Sequence, residues 1–179
     1  MSEKNGKPGA RTTAPRQWVA ETFEELEPLL LAYVARRVRN PETAQDVVQE
    51  AFVKLCQQPW PEIGEHTKAW LYKTCRNRVI DISRREGRMH AVQTDADVST
   101  LRDHKSRPAE DSATRDEQID QVREQINELP QRQQEILRLR MQEGLSYKQI
   151  AEVTGLTATN VGYLLHQAVS GLRGKLQVE

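Results

Sequence analysis

"LSYKQIAEVTGLTATNVGYLLHQAVSGLR", residues 145–173, decides the fold class of this chain. Ser146 and Gln149 stand at the spacing of a capping box, in which each side chain satisfies the other's backbone N–H, so a helix starts there. Ala151 is small enough for a close helix–helix approach. Gly155 supplies the positive φ that a sharp turn needs. Thr157 caps a second helix, in which Val161, Leu165, Ala168 and Leu172 form one apolar stripe. Thr159, Tyr163, His166, Gln167, Ser170 and Arg173 fall on the opposite side. The pattern predicts a helix-turn-helix whose second helix offers that polar face to a DNA major groove. Gly162, in mid-helix, costs about 1 kcal/mol against alanine.

Upstream of this motif the same periodicity recurs. Ile119, Val122, Ile126 and Leu129 mark a helix that Pro130 closes. Near the start, Phe23, Leu26, Leu30, Tyr33 and Val34 repeat at helical spacing between Trp18 and Arg39. Asn40 and Pro41 then read as the N-cap and first residue of "PETAQDVVQEAFVKLCQQ", residues 41–58. That helix is two-faced: Ala44, Val47, Val48, Ala51, Phe52 and Leu55 share one side, and Asp46, Gln49, Glu50 and Gln57 the other. "PWPEIGEH" interrupts the pattern, and a long helix follows from about Thr67 to Arg88. No stretch alternates as a strand does. The expected fold is all-α: two small helical domains joined by a flexible linker.

The long helix holds "KAWLYKTCRNRVIDISRR", residues 68–85, where two aromatics stand beside a run of arginines. On a helical wheel Trp70, Lys73, Asn77, Asp81, Arg84 and Arg88 fall into one stripe flanked by Arg85, with Leu71, Cys75, Val79 and Ile82 on the core side. Arginines attract phosphates and an indole gives a base somewhere to stack, so the face suits nucleic acid. A solvated, arginine-rich helix surface is the competing reading. Asp46, Gln49 and Glu50, with Val53 central among them, likewise read in isolation as a solvated charged face.

Composition bounds the rest. Lys plus Arg and Asp plus Glu balance at 26 each, so any grip on nucleic acid comes from local patches or from a partner. The longest apolar run, "PLLLAYVA", is far too short to span a bilayer, and the N-terminal stretch lacks the apolar core of a signal peptide. Membrane insertion and secretion are therefore not expected, and the expected location is cytoplasmic. Cys56 and Cys75 read as two buried, reduced thiols. The four histidines never pair at ligand spacing, so neither a metal site nor a cofactor is expected. No carboxylate dyad, nucleophile–base pair or phosphate-cradling glycine loop points to an enzyme.

In this order of parts the chain resembles the sigma-70 family of bacterial sigma factors, in particular the compact extracytoplasmic-function group, from about Phe23 to Leu176. "NPETAQDVVQEAFVKL" resembles that family's clamp-binding helix. The resemblance implies that Asp46, Gln49 and Glu50 contact the clamp helices of the largest subunit of core RNA polymerase. "KAWLYKTCRNRVIDISRR" is similar to the segment that opens and reads the −10 promoter element. The implied contacts there are Trp70, Lys73, Asn77, Asp81, Arg84, Arg85 and Arg88, with residues between Trp60 and Trp70 helping to build a pocket for an unpaired base. "LPQRQQEILRLRMQEGLSYKQIAEVTG" and "NVGYLLHQAVSGLR" resemble the −35-reading domain. Its implied contacts are Lys148, Thr159, Asn160, Tyr163, His166, Gln167 and Arg173, of which Tyr163, His166 and Gln167 would read bases and Lys148 and Arg173 touch phosphate. Where the family commonly places basic residues after the valine, this chain has Gly162, Tyr163 and Leu164.

The resemblance divides the chain into a disordered tail (1–17), a region 2 domain (18–90), an acidic linker (91–113) that threads a polymerase channel, and a region 4 domain (114–179). It also implies the flap of the second-largest polymerase subunit, promoter DNA and an anti-sigma factor as partners. Two other readings remain open at this point: a helix-turn-helix regulator acting without polymerase, and a sigma mimic that captures an anti-sigma factor.

Overall fold

The computed structural model describes residues 16–58, 64–91 and 121–176. The N-terminal tail, the 91–113 linker beyond Ala91, Ile119 and the stretch from Trp60 to Ile63 lie outside the described residues. All regular structure among the described residues is helical, as the periodicity predicts. The helices are α1 (Arg16–Ala35), α2 (Pro41–Cys56), α3 (Thr67–Ala91), α4 (121–127), α5 (Gln131–Met141), α6 (Tyr147–Thr154) and α7 (Ala158–Leu176). They form two compact units, α1–α3 and α4–α7.

In the first unit three apolar stripes share one core. α1 buries Leu26, Leu30, Tyr33 and Val34, and α2 buries its whole expected face from Ala44 to Leu55. Pro28 lies inside α1 on its exposed side. An interior proline costs about 3 kcal/mol. Each fully buried Leu, Val or aromatic returns roughly 1.5–3 kcal/mol, so the four buried residues outweigh it and the helix runs through. It ends at Ala35, short of the expected Arg39, in a turn where Arg37 Nη1 donates to the Tyr33 carbonyl (2.8 Å) and its guanidinium lies 3.8 Å from the Tyr33 ring centre. Asn40 caps α2 as expected: its Oδ1 accepts from the Glu42 N–H at 2.9 Å, and Pro41 occupies the first helical position.

α3 meets this core with Ala69, Leu71, Tyr72, Cys75 and Val79, all buried; Ile82 is half-buried. Tyr72 stands edge-on to Tyr33, with ring centres 5.0 Å apart, and Phe23 packs the same way on Phe52 at 4.8 Å. Of the two aromatics beside the arginines, only Trp70 therefore reaches the surface.

The second unit is held together at its turns. Gln134 is buried and donates from Nε2 to the carbonyls of Asn127 (2.9 Å) and Leu129 (2.8 Å), tying the end of α4 to α5. Pro130 does not close α4, which ends at 127; its carbonyl accepts the first bonds of α5, from the Gln133 and Gln134 N–H groups. α5 ends with Gly144 at φ 67° and the Leu145 N–H bonded to the Leu139 carbonyl at 3.0 Å, with both leucines buried. This is the left-handed glycine stop in which the chain beyond the helix satisfies its last carbonyls.

The helix-turn-helix follows the expected local chemistry. Ser146 and Gln149 form the reciprocal capping box, Gly155 takes φ 74°, and the Asn160 N–H donates to Thr157 Oγ1 at 3.2 Å. Val161, Leu165 and Ala168 are buried, and Leu172 is half-buried. The ring of Tyr147, from the first turn of α6, lies over the α7 backbone at Gly162. A Cβ placed there would sit 3.5 Å from Tyr147 Cε2, an ordinary contact, so alanine fits the site. Gly162→Ala is therefore expected to stabilise the second unit by about 1 kcal/mol. A rise in its urea midpoint, followed by far-ultraviolet circular dichroism, checks this.

One expectation for the cysteines is corrected. Cys75 is buried, but Cys56 is exposed at the C-terminal end of α2, one helical step round from the buried Leu55. Burial, the largest influence, pushes the Cys75 thiol up to about 12, which leaves almost no thiolate to react. A disulfide-exchange thiol reagent at pH 8 should modify Cys56 alone in the native chain, and both cysteines once the chain is unfolded in urea.

Candidate polymerase and nucleic-acid interfaces

Because α2 gives its apolar stripe to the core, its polar face has nowhere to go but outward. Asp46 and Gln49 are exposed, and Val53, an aliphatic side chain with no core to enter, is 58% exposed between them and the end of the helix. Glu50 sits apart from its two neighbours. Its Oε1 is 2.9 Å from Lys54 Nζ, one turn along, and its Oε2 is 2.8 Å from Arg78 Nε on α3. The hydrogen bond from Lys54 is the main influence holding the Glu50 carboxyl below the usual carboxylate range. Partial burial pushes the other way, and the charge of Arg78 adds to the lowering. The three residues expected to dock together thus share a helix face, but the Glu50 carboxylate is turned towards α3.

Between α2 and α3 runs an open groove of about 270 Å³ whose walls include Lys54, Gln58, Trp70, Asn77, Arg78 and Asp81. It falls just below the roughly 300 Å³ at which small-molecule pockets begin, and it is too open to enclose a metabolite. Trp70 is half-buried, with its backbone carbonyl bonded by the Thr74 hydroxyl at 2.8 Å, so the indole is backed by a well-ordered turn. Three of the residues expected to meet the −10 strand, namely Trp70, Asn77 and Asp81, come together here. Lys73, half-buried, and the exposed Arg84 and Arg85 lie along α3 outside this groove; the Arg88 side chain lies outside the described residues.

Lys54 and Arg78 were missed by the sequence reading. The spacing of Glu50 and Lys54 is that of an i, i+4 ion pair and was visible in the chain. No local spacing places Arg78 beside Glu50; only the packing of α2 on α3 does so.

In the second unit Thr159, Asn160, Tyr163, His166, Gln167 and Arg173 are all exposed on α7, and Lys148 is exposed at the start of α6. Tyr163 is 63% exposed. Gln167 Nε2 donates to the Tyr163 hydroxyl at 2.8 Å, and Gln167 Oε1 accepts from Gln133 Nε2 of α5 at 3.3 Å. This chain of bonds orients a phenol and an amide on a face with no charge before His166. The Asn160 backbone N–H serves the helix cap, which leaves its side chain to the surface. Arg140 lies 5.5 Å from the Tyr147 ring centre and donates to the Leu145 carbonyl at 3.0 Å, bracing the turn that presents α6 and α7. Among the described residues no cluster of side chains forms a metal site.

Two family patterns match the chain in this order: sigma-70 region 2 over residues 22–89 and sigma-70 region 4 over residues 119–170. Among curated relatives, the ECF RNA polymerase sigma factor SigL of Mycobacterium tuberculosis is 30% identical over 158 residues, covering 87% of this chain and 86% of the relative. The RNA polymerase sigma factor YlaC of Bacillus subtilis is 26% identical over 154 residues, covering 86% and 88%. Of solved structures, the sigma factor RpoE in complex with the anti-sigma factor NepR from Bartonella quintana aligns with a TM-score of 0.61 at 20% identity, over 92% of this chain and 99% of that one. CnrH in complex with the cytosolic domain of CnrY aligns with a TM-score of 0.53 at 22% identity, over 93% and 92%. Those two likenesses concern the fold; the sequence matches carry the family. The chain belongs to the sigma-70 family of RNA polymerase sigma factors, in its ECF group.

Proposed function

We propose that this chain binds core RNA polymerase through α2 and directs it to promoters whose −10 element is taken by α3 and whose −35 element is read by α7. The observation that carries the reading is the pairing, within one small unit, of two outward faces with different chemistry. α2 offers Asp46, Gln49 and Val53; α3 offers Trp70 and Asn77 with the basic residues along the helix. On this reading Asp46, Gln49 and Glu50 meet the clamp helices of the largest subunit, and the second unit meets the flap of the second-largest. The region 2 domain spans 18–90, the linker 91–113 and the region 4 domain 114–179.

The division of labour accounts for the neutral net charge. The polymerase supplies much of the electrostatic grip, and the two units supply sequence choice. Exposing an unpaired base costs a few kcal/mol, which stacking on an aromatic such as Trp70 offsets at about 1–3 kcal/mol per base. The chain acts in the cytoplasm, where core polymerase works, and no described helix is long and apolar enough to cross a membrane. An anti-sigma factor belongs to the same reading as a regulating partner, of the kind with which RpoE was crystallised.

Transcription in vitro with bacterial core polymerase tests the whole reading. Specific initiation should depend on the chain, and the transcript starts should locate the promoter. A regulator acting without polymerase, or a mimic that only captures an anti-sigma factor, gives no such initiation. The docking face is tested by Asp46→Ala with Gln49→Ala. Both side chains are exposed, so the fold should hold while affinity for core falls about tenfold, or roughly 1.4 kcal/mol. On α7, Tyr163→Ala, His166→Ala and Gln167→Ala should each lower holoenzyme discrimination between the −35 element and a scrambled one. The expected loss is about 1–3 kcal/mol where a bidentate base contact is removed, and unchanged discrimination in all three would overturn the assignment.

A further inference from the structure

Glu50 joins the two faces of the first unit. Its carboxylate stands on the helix that the proposed function assigns to polymerase docking, yet both of its oxygens are held by cations of the DNA-side groove, Lys54 and Arg78. The hold on Arg78 is imperfect. Nε is buried and lies 2.8 Å from Oε2, at hydrogen-bond distance but poorly aligned. The attraction is therefore mainly Coulombic, with less of the directional gain that guanidinium obtains from a well-placed oxyanion. The Arg78 side chain remains 32% exposed, so an incoming anion has access to it.

We infer that Arg78 and Lys54 are phosphate-binding residues for a single DNA strand in the α2–α3 groove, and that Glu50 occupies their charge while the groove is empty. The inference rests on the reading in which α3 takes the −10 strand and α2 docks on polymerase. The charge count gives the consequence. The groove-lining Lys54, Arg78 and Asp81 carry a formal +1, and Glu50, paired to both cations from beside the groove, brings the sum to zero and so weakens its pull on a phosphate. When a cationic group of the polymerase draws the Glu50 carboxylate outward, the remaining three leave the groove at +1. The strand then finds Arg78 free to form aligned bonds beside an indole on which a base stacks. Linkage makes the effect reciprocal: a strand that captures Arg78 frees Glu50 for docking by the same factor.

The test measures the full chain without polymerase. A short fluorescein-labelled single-stranded oligodeoxynucleotide of mixed adenine and thymine is titrated at low salt and read by anisotropy. Glu50→Gln, nearly isosteric, should bind it about fivefold more tightly than the wild type, the order that release of one exposed ion pair allows. Glu25→Gln removes the same charge from the exposed side of α1 and should stay within about twofold of the wild type. The gain should vanish in Glu50→Gln combined with Arg78→Ala. Three results would overturn the inference: no gain in Glu50→Gln, an equal gain in Glu25→Gln, or a gain that survives loss of Arg78. Glu50→Ala serves as a second variant, with circular dichroism confirming the helical content of each. Because no polymerase is present, a failed groove effect is distinguishable from a failed docking face, which the Asp46 and Gln49 substitutions report separately.

Discussion

The packing of α2 against α3 is the constraint on which the interfaces of the first unit depend. Val47, Val48, Ala51 and Leu55 on one helix, and Leu71, Tyr72, Cys75 and Val79 on the other, are all removed from water. At roughly 25 cal/mol for each Å² of apolar surface hidden, no surface ion pair worth at most about 1 kcal/mol competes with that burial in setting the helix rotations. Once the rotations are set, the polar positions have no freedom left. Asp46 and Gln49 face outward, Glu50 meets Arg78 across the helix boundary, and Trp70 forms one wall of the groove. The functional surface is what remains after the core has taken its share.

The same logic explains how a chain with no net charge carries out a task that involves DNA. Its cations are not absent but matched, and in the first unit some of the matching is internal: Glu50 covers Lys54 and Arg78. In the second unit the face of α7 is built from a phenol, an imidazole and amides rather than from a row of lysines and arginines, with Gln133, Gln167 and Tyr163 linked by hydrogen bonds. Such a surface selects by geometry and binds weakly by charge, which suits a factor carried to DNA by a larger machine.

Most of this architecture was legible in the residues. The stripe from Ala44 to Leu55, the Asn40–Pro41 start, the Ser146–Gln149 box and the left-handed Gly155 all follow from short-range rules and stand where those rules put them. What escaped is non-local. Tyr72, one of the two aromatics beside the arginines, is core because it packs edge-on against Tyr33 of α1. Cys56 reads as core and is exposed because it stands one helical step round from the buried Leu55, off the core-facing stripe. Pro130 opens α5 rather than closing α4, since Gln134 reaches back to satisfy the carbonyls of the turn. The Glu50–Arg78 contact joins residues far apart in the chain, and only three-dimensional packing reveals it.

The burial of Tyr72 beside a surface-reaching Trp70 has an optical consequence. An indole on the wall of an open cleft has an emission that shifts when a base stacks on it or when water leaves, whereas the tyrosine rings in the core keep a constant surrounding. On the proposed function α3 thus carries a built-in reporter of strand capture: with Trp18 and Trp60 changed to phenylalanine, a base that stacks in the cleft changes the Trp70 emission without a label.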